Sequence, residues 1–146
     1  MTAPVHVVTA VIRHRGRVLL LRRSARVGSY SGCWAAVSGY LEGKRPLEQA
    51  LREVGEETGI AASALRLVRT GRPFEVVDAG LGRVWCVHPF LFEADAAPEV
   101  KLDWEHEDYR WVRPSDIEGL RTVPRLADAL RACGALPGTG TLQPGE

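Results

Sequence analysis

Between Gly39 and Ile60 the chain reads GYLEGKRPLEQALREVGEETGI, and no other stretch restricts the fold so tightly. Proline at 46 suits a first helical turn, where its missing N–H has no intrahelical partner to lose. Gly59 stands where a left-handed residue ends a helix. Between them Leu47, Ala50, Leu51, Val54 and Thr58 recur at the spacing of one helical face, which predicts a helix packed on a core. At about 100° per residue, Glu53, Glu56 and Glu57 then fall together on another face, within about one turn.

Three neighbouring carboxylates work against the helix that carries them. Like charges three and four residues apart cost roughly 0.2–0.5 kcal/mol per pair. Glu56 and Glu57 also meet the negative end of the helix dipole, at about 0.3–1 kcal/mol each. Arg52 offsets part of this by pairing with Glu56, although Arg before Glu is the weaker order. The sum, on the order of 1–2 kcal/mol, is a noticeable share of a marginal stability. A solvated acidic face is the plain reading. A hard divalent cation is the alternative, because oxygen ligands suited to Mg2+ or Mn2+ turn the repulsion into ligation.

Arg52-Glu53-Val54-Gly55-Glu56-Glu57-Thr58-Gly59-Ile60 resembles the second half of the Nudix hydrolase motif, G-x5-E-x7-R-E-U-x-E-E-x-G-U with U aliphatic, at every specified position. The first half departs from it. Counting back from Arg52 puts Lys44 where the family has its first Glu and Ser38 where it has its Gly. Gly39 meets the motif glycine only if the loop is one residue shorter, and Glu42 replaces the missing carboxylate only by a different loop path. The departure concerns the accessory carboxylate and the loop, not the main metal ligands.

The bulk properties agree with one soluble domain. A length of 146 residues suffices for a sizeable core. With 45% hydrophobic and 25% charged residues the composition is ordinary for a globular protein. The net charge of +1 gives no general pull toward nucleic acid or membrane, so attraction to polyphosphate has to be local. Neither a membrane-length apolar run nor a signal peptide is evident. Cys33, Cys86 and Cys133 are odd in number and widely spaced, which fits a reduced cytoplasm.

Taken in order, Val5–Ile12 reads as a β-branched strand and Val18–Leu21 as a buried one, joined by a polar turn into a hairpin. Arg22, Arg23 and Arg26 follow, as an ordinary basic loop or a phosphate clamp. Cys33–Ser38 is a short strand feeding the motif, with Trp34 and Cys33 read as core. After the helix, strand pieces 65–68 and 74–77 flank a bend. Val84–Phe92 is the most apolar strand, and Pro89 inside it predicts an edge position or a bulge. His6, His14 and His88 read as packing or loop residues. Glu105, His106, Glu107 and Asp108 form a titratable loop before a strand at Tyr109–Val112. Pro114–Ile117 gives a helical turn, and Thr122–Ala132 a last helix capped by Thr122, with Val123, Leu126, Ala127 and Leu130 on its buried stripe. Residues 135–146 are expected to be a flexible tail behind a domain of residues 1–134.

This order of elements predicts a mixed α/β or α+β domain. The resemblance implies the Nudix fold, a mixed sheet between helices, and hydrolysis of a nucleoside diphosphate joined to another group. It also implies Mg2+ or Mn2+ held by Glu56 and Glu57, completed by Glu53 and by the Gly39 carbonyl. Arg52 would orient a glutamate, Arg23 would face the substrate, and the base would be Glu105 or Glu53, with Glu107 the second choice after Glu105. A small nucleoside diphosphate compound is then the expected partner, with a homodimer left open. Two readings compete. A sensor module would keep the fold and bind a nucleotide without cleaving it, as Lys44 suggests. An isopentenyl diphosphate isomerase would need a thiol beside a histidine, which the residues around Cys33 lack.

Overall fold

The computed structural model describes residues 3–137. Its element order is β1 (Val5–His14), β2 (Arg17–Arg23), β3 (Trp34–Ala35), β4 (Val37–Tyr40), α1 (Pro46–Thr58), β5 (Arg66–Thr70), β6 (Phe74–Asp78), β7 (Arg83–Glu93), β8 (His106–Val112) and α2 (Leu126–Ala132). All eight strands belong to one mixed sheet. β1 and β7 run parallel at its centre, from Val5↔Trp85 to Arg13↔Glu93. Buried on both faces, β1 is apolar at successive positions rather than alternate ones.

Alternation along β1 divides the core in two. Val8, Ala10 and Ile12 meet Ala50 and Val54 of α1. Val11 joins Leu126 and Leu130 of α2 in the other cluster, which also holds Cys33 and Trp34. The sheet is thus layered between helices, as the order of elements predicts. Cys33, at 3% exposure, is a core residue.

What opens a cleft is a splay between β1 and β2. They pair only at the hairpin end, Arg13↔Val18 and His14↔Arg17. Into the gap runs the 34–40 segment, which is two strands rather than one: β3 pairs with β2, and β4 with β1. The small Ala35 and Ala36, both buried, stand at this change of partner.

Four expectations need correction. Pro89 lies on an inner strand, because β7 is flanked by β1 on one edge and by β5 and β6 on the other. Its carbonyl accepts from Gly71 N–H in the stretch where β5 has ended and β6 not begun. The missing N–H points into the same break, so proline costs no ladder bond there. β8 starts at His106, which puts Glu107 and Asp108 in the strand rather than the loop. α2 starts at Leu126, since Thr122 bridges Trp34 and Val123 N–H donates to the Trp34 carbonyl, leaving Thr122 unable to cap. Ala129, not Ala127, then completes the buried stripe. Of the expected tail, Ala135 and Leu136 hydrogen-bond back to the Leu130 carbonyl and pack on the α2-side core. The remainder, residues 138–146, lies outside the described residues.

Candidate active site

Helix α1 is built as the sequence predicts. Pro46 opens it, and Gly59 at φ 73° closes it by donating its N–H to the Gly55 carbonyl. Thr58 Oγ1 donates to the Val54 carbonyl at 2.7 Å and accepts from Ile60 N–H at 3.1 Å, fixing the last turn. Against that turn comes the loop before β8. Lys101 N–H donates to the Thr58 carbonyl, and Ser24 N–H at the end of β2 donates to the Glu105 carbonyl at 2.7 Å. Ser24 Oγ also holds the Trp104 carbonyl at 2.9 Å. These anchors bring Glu105 to the end of α1 from the far side of the chain.

The three helix carboxylates do not share one environment. Glu56 is exposed and accepts from Arg52 Nε at 3.1 Å. Glu53 is half-buried, with Oε2 accepting from Gln49 Nε2 at 2.7 Å. Glu57 is 2% exposed, and its Oε2 is a buried oxygen without a hydrogen-bond partner. Burial, followed by the charges of Glu105 and Glu53, holds the Glu57 carboxyl well above its ordinary range. Burial likewise raises Glu53, against the bonds from Gln49 and Glu57. Glu105 is raised by burial and then by Asp103, with Arg23 pulling the other way. Four acidic groups from two segments therefore crowd one spot and resist ionising together.

His106 does not relieve them. Its Nδ1 lies 2.9 Å from Asp103 Oδ1, while Nε2 is 3.7 Å from Glu57 Oε1, too long for a hydrogen bond. Burial lowers its pKa despite Asp103, so a neutral ring faces Glu57 rather than a cation. The unpartnered oxygen, the mutual repulsion and the all-oxygen donor set fit a hard divalent ion. Gly39 fits the same picture, since a Cβ there would lie 2.3 Å from Glu53 Cδ and 2.5 Å from Oε1. Backbone and carboxylate are in direct contact at that point.

Above the carboxylates opens a cleft of about 250 Å3, whose lining includes Gly39, Glu42, Glu53, Glu56, Glu105 and Arg23. Arg23 is held by donation from Nε to the Ser29 carbonyl at 2.8 Å. Glu107 is absent from this lining and instead pairs with Arg22 at 2.8 Å. Lys44 is exposed, whereas Glu42 lines the cleft and donates its N–H to Gln49 Oε1 at 3.3 Å. A hollow of about 410 Å3 beside Arg17, Arg110 and Arg113 brings no group of carboxylates together.

The opposite wall escaped the sequence reading. Arg125 lies over the Trp85 ring, 4.9 Å from its centroid, and both line the cleft with Tyr30 and Tyr40. Burial and then the nearby Arg23 lower the Arg125 pKa. Asp78 fixes this wall, accepting from Tyr30 Oη at 2.8 Å, Trp85 Nε1 at 3.1 Å and Leu81 N–H at 3.1 Å. Gln49 was missed as well, although a Gln four residues before a Glu on one helix is a readable pair.

A mixed sheet between helices thus carries a carboxylate-bearing helix end beside arginines. The chain belongs to the Nudix family: residues 2–133 match the model of the NUDIX domain. It is 27% identical to the nucleoside triphosphatase NudI of Escherichia coli over 117 residues, covering 76% of this chain and 83% of that protein. The MutT protein from Methanosarcina mazei Go1 has a similar structure, with a TM-score of 0.72, 28% identity and coverage of 90% and 94% of the two chains. The NUDIX domain of Shewanella oneidensis NrtR, complexed with ADP ribose, shares the fold at a TM-score of 0.67 and 18% identity, over 90% of this chain and 87% of that one. The protein is a Nudix hydrolase acting on phosphorus-containing acid anhydrides, a family that generally requires divalent metal. Among the described residues no helix is long and apolar enough to cross a membrane.

Proposed function

We propose that the chain is a Mg2+- or Mn2+-dependent pyrophosphohydrolase that cleaves the diphosphate linkage of a nucleoside diphosphate derivative. The observation that carries the reading is the buried, unpartnered Glu57 Oε2 amid Glu53 and Glu105. Glu56 and Glu57, with Glu53 and the Gly39 carbonyl, would hold the ion. When bound, it supplies charge neutralisation on phosphoryl oxygens and a template for the attacking water. Arg23 and Arg125 line the same cleft and suit the phosphate oxygens, because guanidinium forks match them. Tyr40, exposed on the same cleft, offers a ring face for the nucleoside. Glu105 accepts the proton of the attacking water, with Glu53 the alternative, and its place on the cleft favours it over Glu107. Arg52 positions Glu56. The likeness to the nucleoside triphosphatase NudI supports a small nucleotide substrate. Three unbridged cysteines support a reducing, cytoplasmic setting.

Support for the sensor alternative comes from Lys44 and from the ADP-ribose complex of the NrtR domain. Glu42 on the cleft weakens the first of these. Assays of phosphate and nucleotide release from a panel of nucleoside diphosphate compounds, with either metal, decide between the two. Hydrolysis of at least one compound is expected, whereas tight binding with no release from any selects the sensor. Glu56→Gln and Glu57→Gln should each lower turnover at least about tenfold, or about 1.4 kcal/mol of barrier, while the protein stays folded. Unchanged rates in both would remove the metal role assigned to them.

A further inference from the structure

The parallel register of β1 and β7 juxtaposes three side chains that the hydrolytic reading does not use. His6 stands beside Cys86 and Val8 beside His88. Alternation puts His6, Cys86 and His88 on one face of the sheet. His6 Nδ1 and His88 Nε2 are 3.0 Å apart, and Cys86 Sγ is 3.9 Å from the same His88 nitrogen. One ligand atom from each residue lies within 4.8 Å of the others. None of the three lines the carboxylate cleft. Val7, which does line it, points to the opposite face of β1 from His6.

We propose that His6, Cys86 and His88 form a second metal site, for a borderline-soft divalent cation with Zn2+ the foremost candidate. Zn–N bonds of about 2.0–2.1 Å and a Zn–S bond of about 2.3 Å, at tetrahedral angles, set donor separations of roughly 3.3–3.6 Å. The two separations that involve His88, 3.0 and 3.9 Å, lie a few tenths of an ångström from these values, and the third pair lies within 4.8 Å. Two of the ligands stand on β7, where Cys86 is paired with both β1 and β6 and His88 with β1. His6 is exposed and leaves an entry path and a fourth position open to solvent. Glu75, directly across from Cys86 in the β6–β7 register, is a carboxylate on the same face.

Ligand chemistry separates this site from the cleft. Two imidazoles and a thiolate prefer Zn2+ or Co2+, whereas carboxylate oxygens prefer Mg2+ or Mn2+. Without metal, two ring nitrogens in contact can hold a single proton between them, and burial with the neighbouring His6 holds His88 below the usual histidine range. Binding displaces the thiol proton of Cys86 to solvent and forms one metal–sulfur and two metal–nitrogen bonds, with no change in oxidation state.

Titration of the full chain with Co2+, followed by optical spectroscopy, tests the site in a Glu57→Gln background that weakens the cleft. The expected result is a thiolate-to-cobalt charge-transfer band with tetrahedral d–d bands, saturating at one ion per chain and erased by Zn2+. Cys86→Ser should abolish the charge-transfer band, and His88→Asn should weaken the affinity at least about tenfold. A chain that develops no charge-transfer band, or one that keeps it after Cys86→Ser, overturns the proposal. Protection of the thiol gives a second readout independent of those variants. Zn2+ should slow alkylation of Cys86 at least about tenfold in the parent chain and leave the rate unchanged in His6→Ala, whose substituted side chain is exposed. Equal protection in both would also overturn it.

Discussion

At Gly39 a single hydrogen in place of a methyl group sets how near the backbone comes to Glu53. A Cβ would stand 2.3 Å from Glu53 Cδ, and Glu53 cannot swing away freely because Gln49 holds its other oxygen at 2.7 Å. Gly39→Ala therefore moves a carboxylate rather than unfolding β4. The expected result is a loss of at least about tenfold in kcat, with a raised metal concentration for half-maximal rate and nearly unchanged thermal stability. Metal titrations of rate in the two proteins check this, and identical half-saturation would mean that the position of Glu53 does not govern the ion. Buried Glu57 makes a second prediction at this scale. In the metal-free protein its carboxyl is buried with Oε2 unpaired and is held well above the ordinary carboxylate range, so its ionisation opposes folding. Glu57→Gln should raise metal-free stability by about 1 kcal/mol, although the same change removes a proposed ligand. Denaturant unfolding in chelator measures it, and a less stable variant would show that the carboxylate is compensated.

Helix α1 was legible because its signals are local. Pro46, Gly59 and one apolar face define it without reference to the rest of the chain. Pro89 was misread because what accommodates it is the break between β5 and β6, which exists only after both have paired with β7. The same holds for Arg125, whose path to the cleft runs over Trp85 from a segment forty residues further along. Asp78 ties such distant pieces together, joining the β6–β7 turn to Tyr30 and Trp85. Burial alone would raise its pKa, but hydrogen bonds from Trp85, Tyr30 and Leu81 N–H bring it below the ordinary aspartate range. A carboxylate lowered on folding adds stability above its unfolded pKa and loses it as pH falls through the folded value. Asp78→Asn leaves one donor without an acceptor, at a cost of about 1.5–3 kcal/mol near neutral pH. That gap from wild type should narrow below about pH 4, as Asp78 itself takes up a proton. Unfolding curves across the acid range would expose the error if the gap stayed constant.

Over the whole molecule, the candidate metal site joins parts that the sheet alone does not bind firmly. Its carboxylates come from the end of α1 and from the loop before β8, fastened by the Lys101–Thr58 and Ser24–Glu105 backbone bonds. Without an ion the acids at this junction repel each other, and with the proposed ion the same groups would form a clamp between the two segments. A ligand that binds only the folded chain stabilises it by about 2.7 kcal/mol at a hundred times its Kd. For a domain of this size that corresponds to a rise of roughly 5–10 °C in Tm. Mn2+ or Mg2+ should produce such a rise in the wild type, and chelator should reverse it. Glu57→Gln should abolish most of it, whereas Glu107→Gln, whose parent carboxylate pairs with Arg22 away from the cleft, should keep it. The comparison separates a specific clamp from general charge screening, because each variant replaces one carboxyl group by an amide of the same shape. Equal loss of the metal-induced shift in both would mean that the ion acts through net charge and that the end of α1 holds no site.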